Sequence, residues 1–215
     1  MSSIIQATEA YVKTINGSDS SGHDFSHIER VRRMALAIAS EEQADLFIVE
    51  MAALLHDTVD DKLVDPVTAW QDLEAFFDSI QLEQQSRDDI SHILRYISFK
   101  GGVNAGKLKS LEGKVVQDAD RLDALGAIGI ARTFMYAGAF KDTMYDPDIP
   151  PRELSKVNYR EPSTAINHFY EKLFKLKDLM NTETGRRLAE ERTQYMEDFI
   201  HRFKQEWHSS QRPVN

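Results

Sequence analysis

Cysteine is absent from the 215 residues. Its absence excludes disulfides, thiolate metal sites and a cysteine nucleophile, so any metal ion has to be held by histidine and carboxylate ligands. Long apolar runs are missing as well. Nothing approaches the ~18 residues of a membrane span, and the start MSSIIQATEAYVKTI lacks the basic and apolar segments of a secretory signal. A cytoplasmic protein without membrane contact is expected. Positive charge is scarce, with 26 Lys and Arg against 35 Asp and Glu and a net charge of −9. That balance argues against nucleic acid or anionic membrane as a partner. Anionic small molecules stay open wherever lysine, arginine or metal supplies a local positive field. Alternating β patterns, repeats and an interdomain linker are also missing, so 1–215 reads as one all-α globular domain of roughly seven to nine helices. At 41% hydrophobic and 28% charged residues it can bury a sizeable core.

The stretch 46–61, LFIVEMAALLHDTVDD, joins the most apolar run of the chain to its densest group of metal-type ligands. Between Leu46 and Leu55 only Glu50 is charged, and Ala, Met and Leu favour helix. This predicts a helix apolar on nearly every side, and therefore a central one. Its end delivers His56 and Asp57, then Asp60 and Asp61. Ionisable groups at the end of a buried helix are costly without partners. A divalent cation neutralises carboxylates and takes neutral imidazole as a ligand. A solvated helix end beside a hydrogen-bonded core histidine would carry the same residues.

Upstream, residues 3–15 carry a first helical pattern that Asn16-Gly17 ends, and HIERVRRMALAIASEE is an amphipathic helix with His27 in its first turn. Downstream, 67–80 and 86–99 are further helices, the second with Ser86 as its cap and His92 off its apolar stripe. KGGVNAGKLKS, a glycine-rich loop, concentrates Lys100, Lys107 and Lys109 without a phosphate-binding fingerprint. The run 113–140 is apolar and rich in Ala and Gly, yet Asp118, Asp120 and Asp123 lie inside its helical pattern. Acids so deep in an apolar run point to a ligand role for one of them. Residues 141–165 hold four of the six prolines and read as an irregular connection or lid. Two C-terminal helices over 164–207 follow, the second with Leu188, Tyr195, Met196, Phe199 and Phe203 inside.

Taken in order, His27, His56-Asp57 and Ala119-Asp120 resemble the H, HD, D pattern of the HD superfamily of metal-dependent phosphohydrolases, over about residues 20–135. HDTVDD is similar to the HD-x-x-E-D stretch of guanosine-tetraphosphate hydrolases, with Asp60 in place of Glu, and ADRLDAL resembles ADxxDAL of cyclic-dinucleotide phosphodiesterases. The chain length and the C-terminal KLKDLMNTETGRRLAEERTQYMEDFIHRFKQEW are most like the small stand-alone bacterial HD proteins, among them a nucleotide pyrophosphohydrolase.

The resemblance implies an HD-type helical fold and one divalent cation, Mn favoured over Mg, Fe, Co, Ni or Zn. Its ligands would be His27, His56, Asp57 and Asp120, with Asp118 as the alternative because DAD offers two acids facing different ways. Asp60 or Asp61 would orient or deprotonate the attacking water. Lys100, Lys107, Arg132, Lys172 and Lys175 are candidates for phosphate contacts. The implied substrate is a nucleotide, most concretely a nucleoside triphosphate cut to monophosphate and pyrophosphate. A 5′-nucleotidase, a guanosine-tetraphosphate hydrolase and a non-catalytic nucleotide sensor are the alternatives, and a homodimer stays open.

Overall fold

Helical periodicity dominates the computed structural model, which describes residues 2–16, 25–59, 66–98, 104, 106–153 and 163–209. Among these residues there are nine α-helices and no strand, so the all-α expectation holds. The helices are α1 (Ser2–Asn16), α2 (Phe25–Glu42), α3 (Leu46–Leu55), α4 (Pro66–Ser79), α5 (Gln84–Tyr96), α6 (Leu111–Asp123), α7 (Gly126–Phe140), α8 (Ala165–Glu171) and α9 (Glu183–Ser209). A 3₁₀ segment, Leu173–Leu179, lies between the last two. The chain divides into two compact units, Met1–Asp120 and Arg121–Asn215, with the boundary inside α6.

The first unit is built round α3. Ile48, Val49, Met51, Ala52, Ala53, Leu54 and Leu55 are all buried, and α1, α2 and α5 pack against them. Asp45 starts this helix by accepting from Phe47 N at 2.8 Å and Ile48 N at 3.1 Å, satisfying two otherwise orphaned donors. Glu50, the one charge of the run, is answered by Arg32 of α2, whose Nε and Nη2 donate to Glu50 Oε1 at 2.9 and 2.5 Å. Gln117 Nε2 of α6 donates to Ile97 O at 2.7 Å, just beyond the end of α5.

The second unit has an aromatic core. Phe134 of α7 meets Phe169 of α8 and Phe199 and Phe203 of α9 with ring centroids 6.0–6.5 Å apart. Buried Glu171 closes α8 as an acceptor. It takes Arg152 N at 2.9 Å, Arg152 Nε at 3.1 Å, and Ser163 Oγ at 2.9 Å. Burial works against its charge, yet the hydrogen bonds from Arg152 and Ser163 together with the Arg152 charge hold the carboxyl below the usual carboxylate range.

Four sequence expectations are corrected. The run 113–140 breaks between α6 and α7, because Leu125 is extended and Gly126 takes φ of 71°, a left-handed conformation that glycine adopts without strain. α5 starts at Gln84, ahead of the expected cap Ser86, and its N-cap Glu83 makes no side-chain capping bond. The first C-terminal helix ends at Glu171, because Lys172 departs to φ −133°, and tightens into the 3₁₀ segment. Tyr195 stands exposed, since the buried stripe of α9 runs through Ala189, Thr193, Met196 and Ile200.

His168, in α8, titrates far from the ordinary 6.5. Burial first and Lys172 second push it down to about 4. Above pH 6.5 it is neutral in the folded and the unfolded chain and contributes no pH dependence. Between 6.5 and about 4 only the unfolded chain takes up the proton, so stability falls as pH falls. The loss approaches ~3 kcal/mol at its fullest. Urea unfolding from pH 7.5 down to pH 4 should show this decline, and His168→Gln should flatten it through that window. Glu171, with its lowered pKa, adds a loss of the same sign at still lower pH.

Candidate metal centre

Four side chains from three helices of the first unit converge. His27 sits in the first turn of α2, His56 caps the C-terminus of α3, Asp57 follows in the next turn, and Asp120 projects from α6. The imidazoles are buried and lie edge to face, with Nε2 to Nε2 at 3.2 Å. Asp57 closes on both: Oδ2 is 3.6 Å from His27 Nε2, and Oδ1 is 3.4 Å from His56 Nε2. Asp120 Oδ1 stands 3.6 Å from His27 Nε2 and 3.9 Å from His56 Nε2. Its side chain is 41% exposed against 8% for Asp57, so the cluster is walled by protein on the Asp57 side and open at Asp120.

His56 Nδ1 lies 2.8 Å from Ala53 O, a carbonyl that only accepts. Nδ1 therefore carries the proton, and in the neutral ring Nε2 turns its lone pair toward the cluster. Such a lone pair 3.2 Å from a second ring nitrogen and 3.4 Å from a carboxylate suits a shared cation. Metal–ligand bonds of about 2.1 Å place neighbouring ligands about 3.0 Å apart in an octahedron and about 3.4 Å apart in a tetrahedron. The separations here, 3.2 to 3.9 Å, begin inside that range and extend just beyond it. The donor set of imidazole nitrogen and carboxylate oxygen fits a divalent ion. His27, His56 and Asp57 form a buried group with ligand atoms within 4.8 Å of one another.

Of the two acids in DAD, the structure brings Asp120 to the imidazoles. Asp118 is fully buried and, at ~100° per residue, leaves α6 about 200° away from it. Lys107 is exposed, with Nζ 5.6 Å from the Tyr96 ring centre, and that ring meets His92 edge to face at 4.9 Å. Arg132, Lys172 and Lys175 belong to the second unit. Arg132 is held by Asp123 Oδ2 at 2.5 Å, while Lys172 and Lys175 are exposed. Asp60, Asp61 and Lys100 lie outside the described residues. Sequence reading passed over the residues that aim the ligands. Ala53 sits one helical turn before His56 and Gln117 one turn before Asp120, and that spacing is the signal that would have found them.

Comparison with known proteins agrees with this geometry. The HD domain family matches residues 24–125. YpgQ of Bacillus subtilis is 42% identical over 201 residues, which is 91% of this chain and 90% of YpgQ. Its crystal structure in complex with ADP superposes with a TM-score of 0.76 at 39% identity, covering 94% of this chain and 97% of that one. A Lactobacillus plantarum structure gives a TM-score of 0.84 at 43% identity, over 97% and 99% of the two chains. An HD-superfamily hydrolase of Bacillus thuringiensis is 46% identical, with a TM-score of 0.76 over 95% and 96%. With relatives of this identity aligned over nearly their whole length and the HD profile spanning the converging ligands, the chain belongs to the HD superfamily of hydrolases.

Proposed function

We propose that the chain is a metal-dependent phosphohydrolase of nucleotides, cutting a nucleoside or deoxynucleoside triphosphate to the monophosphate and pyrophosphate. The observation that carries this reading is the meeting of two imidazole Nε2 atoms, 3.2 Å apart, with the Asp57 and Asp120 carboxylates. His27, His56, Asp57 and Asp120 would hold one divalent ion, with Mn²⁺ favoured. Such an ion acidifies water and offsets charge on phosphoryl oxygens. The nucleotide class is supported by the ADP bound to YpgQ.

The chain's own residues account for the rest. Asp57 and Asp120 supply two negative charges, and the Ala53 carbonyl fixes the tautomer of His56. Asp120, on the open side, is the ligand nearest an incoming phosphate. Asp60 or Asp61, three and four residues beyond Asp57, orients or deprotonates the water. Lys100 and Lys107 contact the phosphates as point charges. With no cysteine in the chain, water attacks directly. Its oxygen bonds to the α-phosphorus, the bond to the bridging oxygen breaks, and pyrophosphate leaves.

Asp57→Ala should weaken Mn²⁺ binding by at least about 100-fold in titration calorimetry. Wild-type affinity in that variant would remove the site. Asp120→Asn should lose the ion and Asp118→Asn should keep it, and the reverse result would move the fourth ligand to Asp118.

Products from a nucleotide panel in ¹⁸O-labelled water test the chemistry. Chelation should abolish turnover, and Mn²⁺ should restore it. Label in the monophosphate, with pyrophosphate released, fits attack at the α-phosphorus. Inorganic triphosphate plus free nucleoside refutes it, and orthophosphate from monophosphates turns the enzyme into a nucleotidase. Absence of turnover on every nucleotide with every metal leaves a sensor.

A further inference from the structure

α3 is buried along most of its length, but its N-terminal end opens into a cavity of about 450 Å³ that it shares with α1 and α2. That volume lies in the range of small-molecule sites. One wall is apolar, made by Ile5 of α1 and by Leu46 and Phe47 of α3. Leu46 is the most exposed apolar side chain of α3, at 51%. The other wall is polar, with Gln6 and Glu9 of α1, Arg32 of α2 and Glu50 of α3. Leu46 and His56 stand at opposite ends of α3, roughly 15 Å apart along its axis, so this space is separate from the metal centre.

Positive charge on the polar wall is already committed. Arg32 is the one cation among the lining residues, and each of its nitrogens faces a carboxylate. Nε and Nη2 donate to Glu50 Oε1 at 2.9 and 2.5 Å, while Nη1 lies 3.4 Å from Glu9 Oε2 and 3.6 Å from Glu29 Oε2. Both Glu50 bonds fall on Oε1, which leaves Oε2 with lone pairs to offer. Glu9 Oε1 takes Lys13 Nζ at 2.5 Å, and that bond is the first of the causes that hold the Glu9 carboxyl below its usual range, so it stays ionised. The exposed Gln6 amide adds a carbonyl oxygen. The wider field has the same sign. Residues 1–120 hold 11 Lys and Arg against 21 Asp and Glu, so the first unit carries the whole negative balance of the chain.

We propose that this cavity is a binding site for a small organic cation, a primary ammonium carried on a short aryl or alkyl arm. An ammonium has three donors and no acceptor, and the polar wall answers with Glu50 Oε2, the Glu9 carboxylate and the Gln6 amide oxygen. The arm removes the exposed face of Leu46 from water and packs against Ile5 and Phe47. A carboxylate or phosphate would meet the charges of Glu9 and Glu50 and would have to displace one of them from Arg32.

Phenethylammonium is the probe. Titrated into the ¹⁵N-labelled full chain, it should shift the backbone amides of Leu46 and Phe47 and the side-chain amide of Gln6 in one saturable step, with a dissociation constant of about 1 mM or below. Phenethyl alcohol and hydrocinnamate have the same shape without the charge or with the opposite one, and should bind at least about tenfold more weakly. Added salt should weaken the amine alone. Glu9→Gln should cost about tenfold in affinity for the amine and leave the Arg32–Glu50 pair in place. Leu46→Lys brings an ammonium of the chain's own to the cavity and should abolish the saturable shifts. Leu46 is exposed, so that change leaves the core as it is, which an unaltered circular dichroism spectrum checks. Absence of a saturable shift in the wild type overturns the proposal. Hydrocinnamate binding as tightly as the amine, or an unchanged affinity in Leu46→Lys, overturns it equally.

Discussion

Two imidazole nitrogens held 3.2 Å apart in a buried space set the terms for the first unit. The rings come from opposite ends of consecutive helices, so α3 has to return along α2 in one register. A slip of one residue would carry a side chain 1.5 Å along the axis and 100° round it. The reversal is made by Gln43 at φ 59° and by Ala44 N donating to Ala39 O at 3.0 Å, after which Asp45 caps α3. Small buried residues, Ala35 and Ala39 in α2 and Ala52 and Ala53 in α3, allow close approach. The slide is then pinned by Arg32, five residues after His27, and Glu50, six before His56. Burial weighs against that guanidinium first, and the Glu50 hydrogen bond together with the charges of Glu50, Glu29 and Glu9 raises the pKa of Arg32.

The carboxylates are aimed by equally local devices. Thr58 N and Thr58 Oγ1 both donate to Leu55 O, at 3.0 and 2.8 Å, closing the turn that points Asp57 at the rings. Asp120 has no such turn. It is aimed by the pose of α6, which Gln117 fixes against Ile97 O one turn earlier. The two acids therefore differ in kind. Asp57 is locked to the element that carries His56, whereas the position of Asp120 depends on how α6 packs, and its exposure leaves it the ligand that solvent reaches.

The ligand pattern was legible in the sequence because its chemistry is restrictive. An apolar helix ending in His-Asp, in a chain without cysteine, leaves few ways to compensate buried charge. The order of the histidines and acids then carried the family. What stayed illegible depended on single backbone torsions or on distant partners. Composition alone does not mark the break before Gly126, since glycine also stands at 113, 129 and 138 inside helices. Arg132 looked free for phosphate because Asp123, nine residues away, belongs to the preceding helix once that break exists. The resemblance favoured Asp120 through Ala119-Asp120 and kept Asp118 as the alternative, and it is the rotation about α6 that brings Asp120 to the imidazoles.

The proline-rich connection shows the same dependence on partners. Its composition suits a mobile lid, yet residues 143–152 are used as structure. α8 begins with backbone donors that have no intrahelical acceptor. Ala165 N and Ile166 N instead donate to Thr143 O at 3.0 Å and Met144 O at 3.1 Å, and Asn167 N donates to Thr164 Oγ1 at 3.0 Å. Further on, Asn167 Nδ2 reaches Ile149 O at 2.9 Å, and Glu171 takes Arg152 at the last turn. Residues 143–152 thus bond to α8 from its first turn to its last. Each bond satisfies a polar group of the helix and one of the loop together. Freeing 143–152 as a lid would leave both sets unpaired, so any gating in this chain has to come from elsewhere than this stretch.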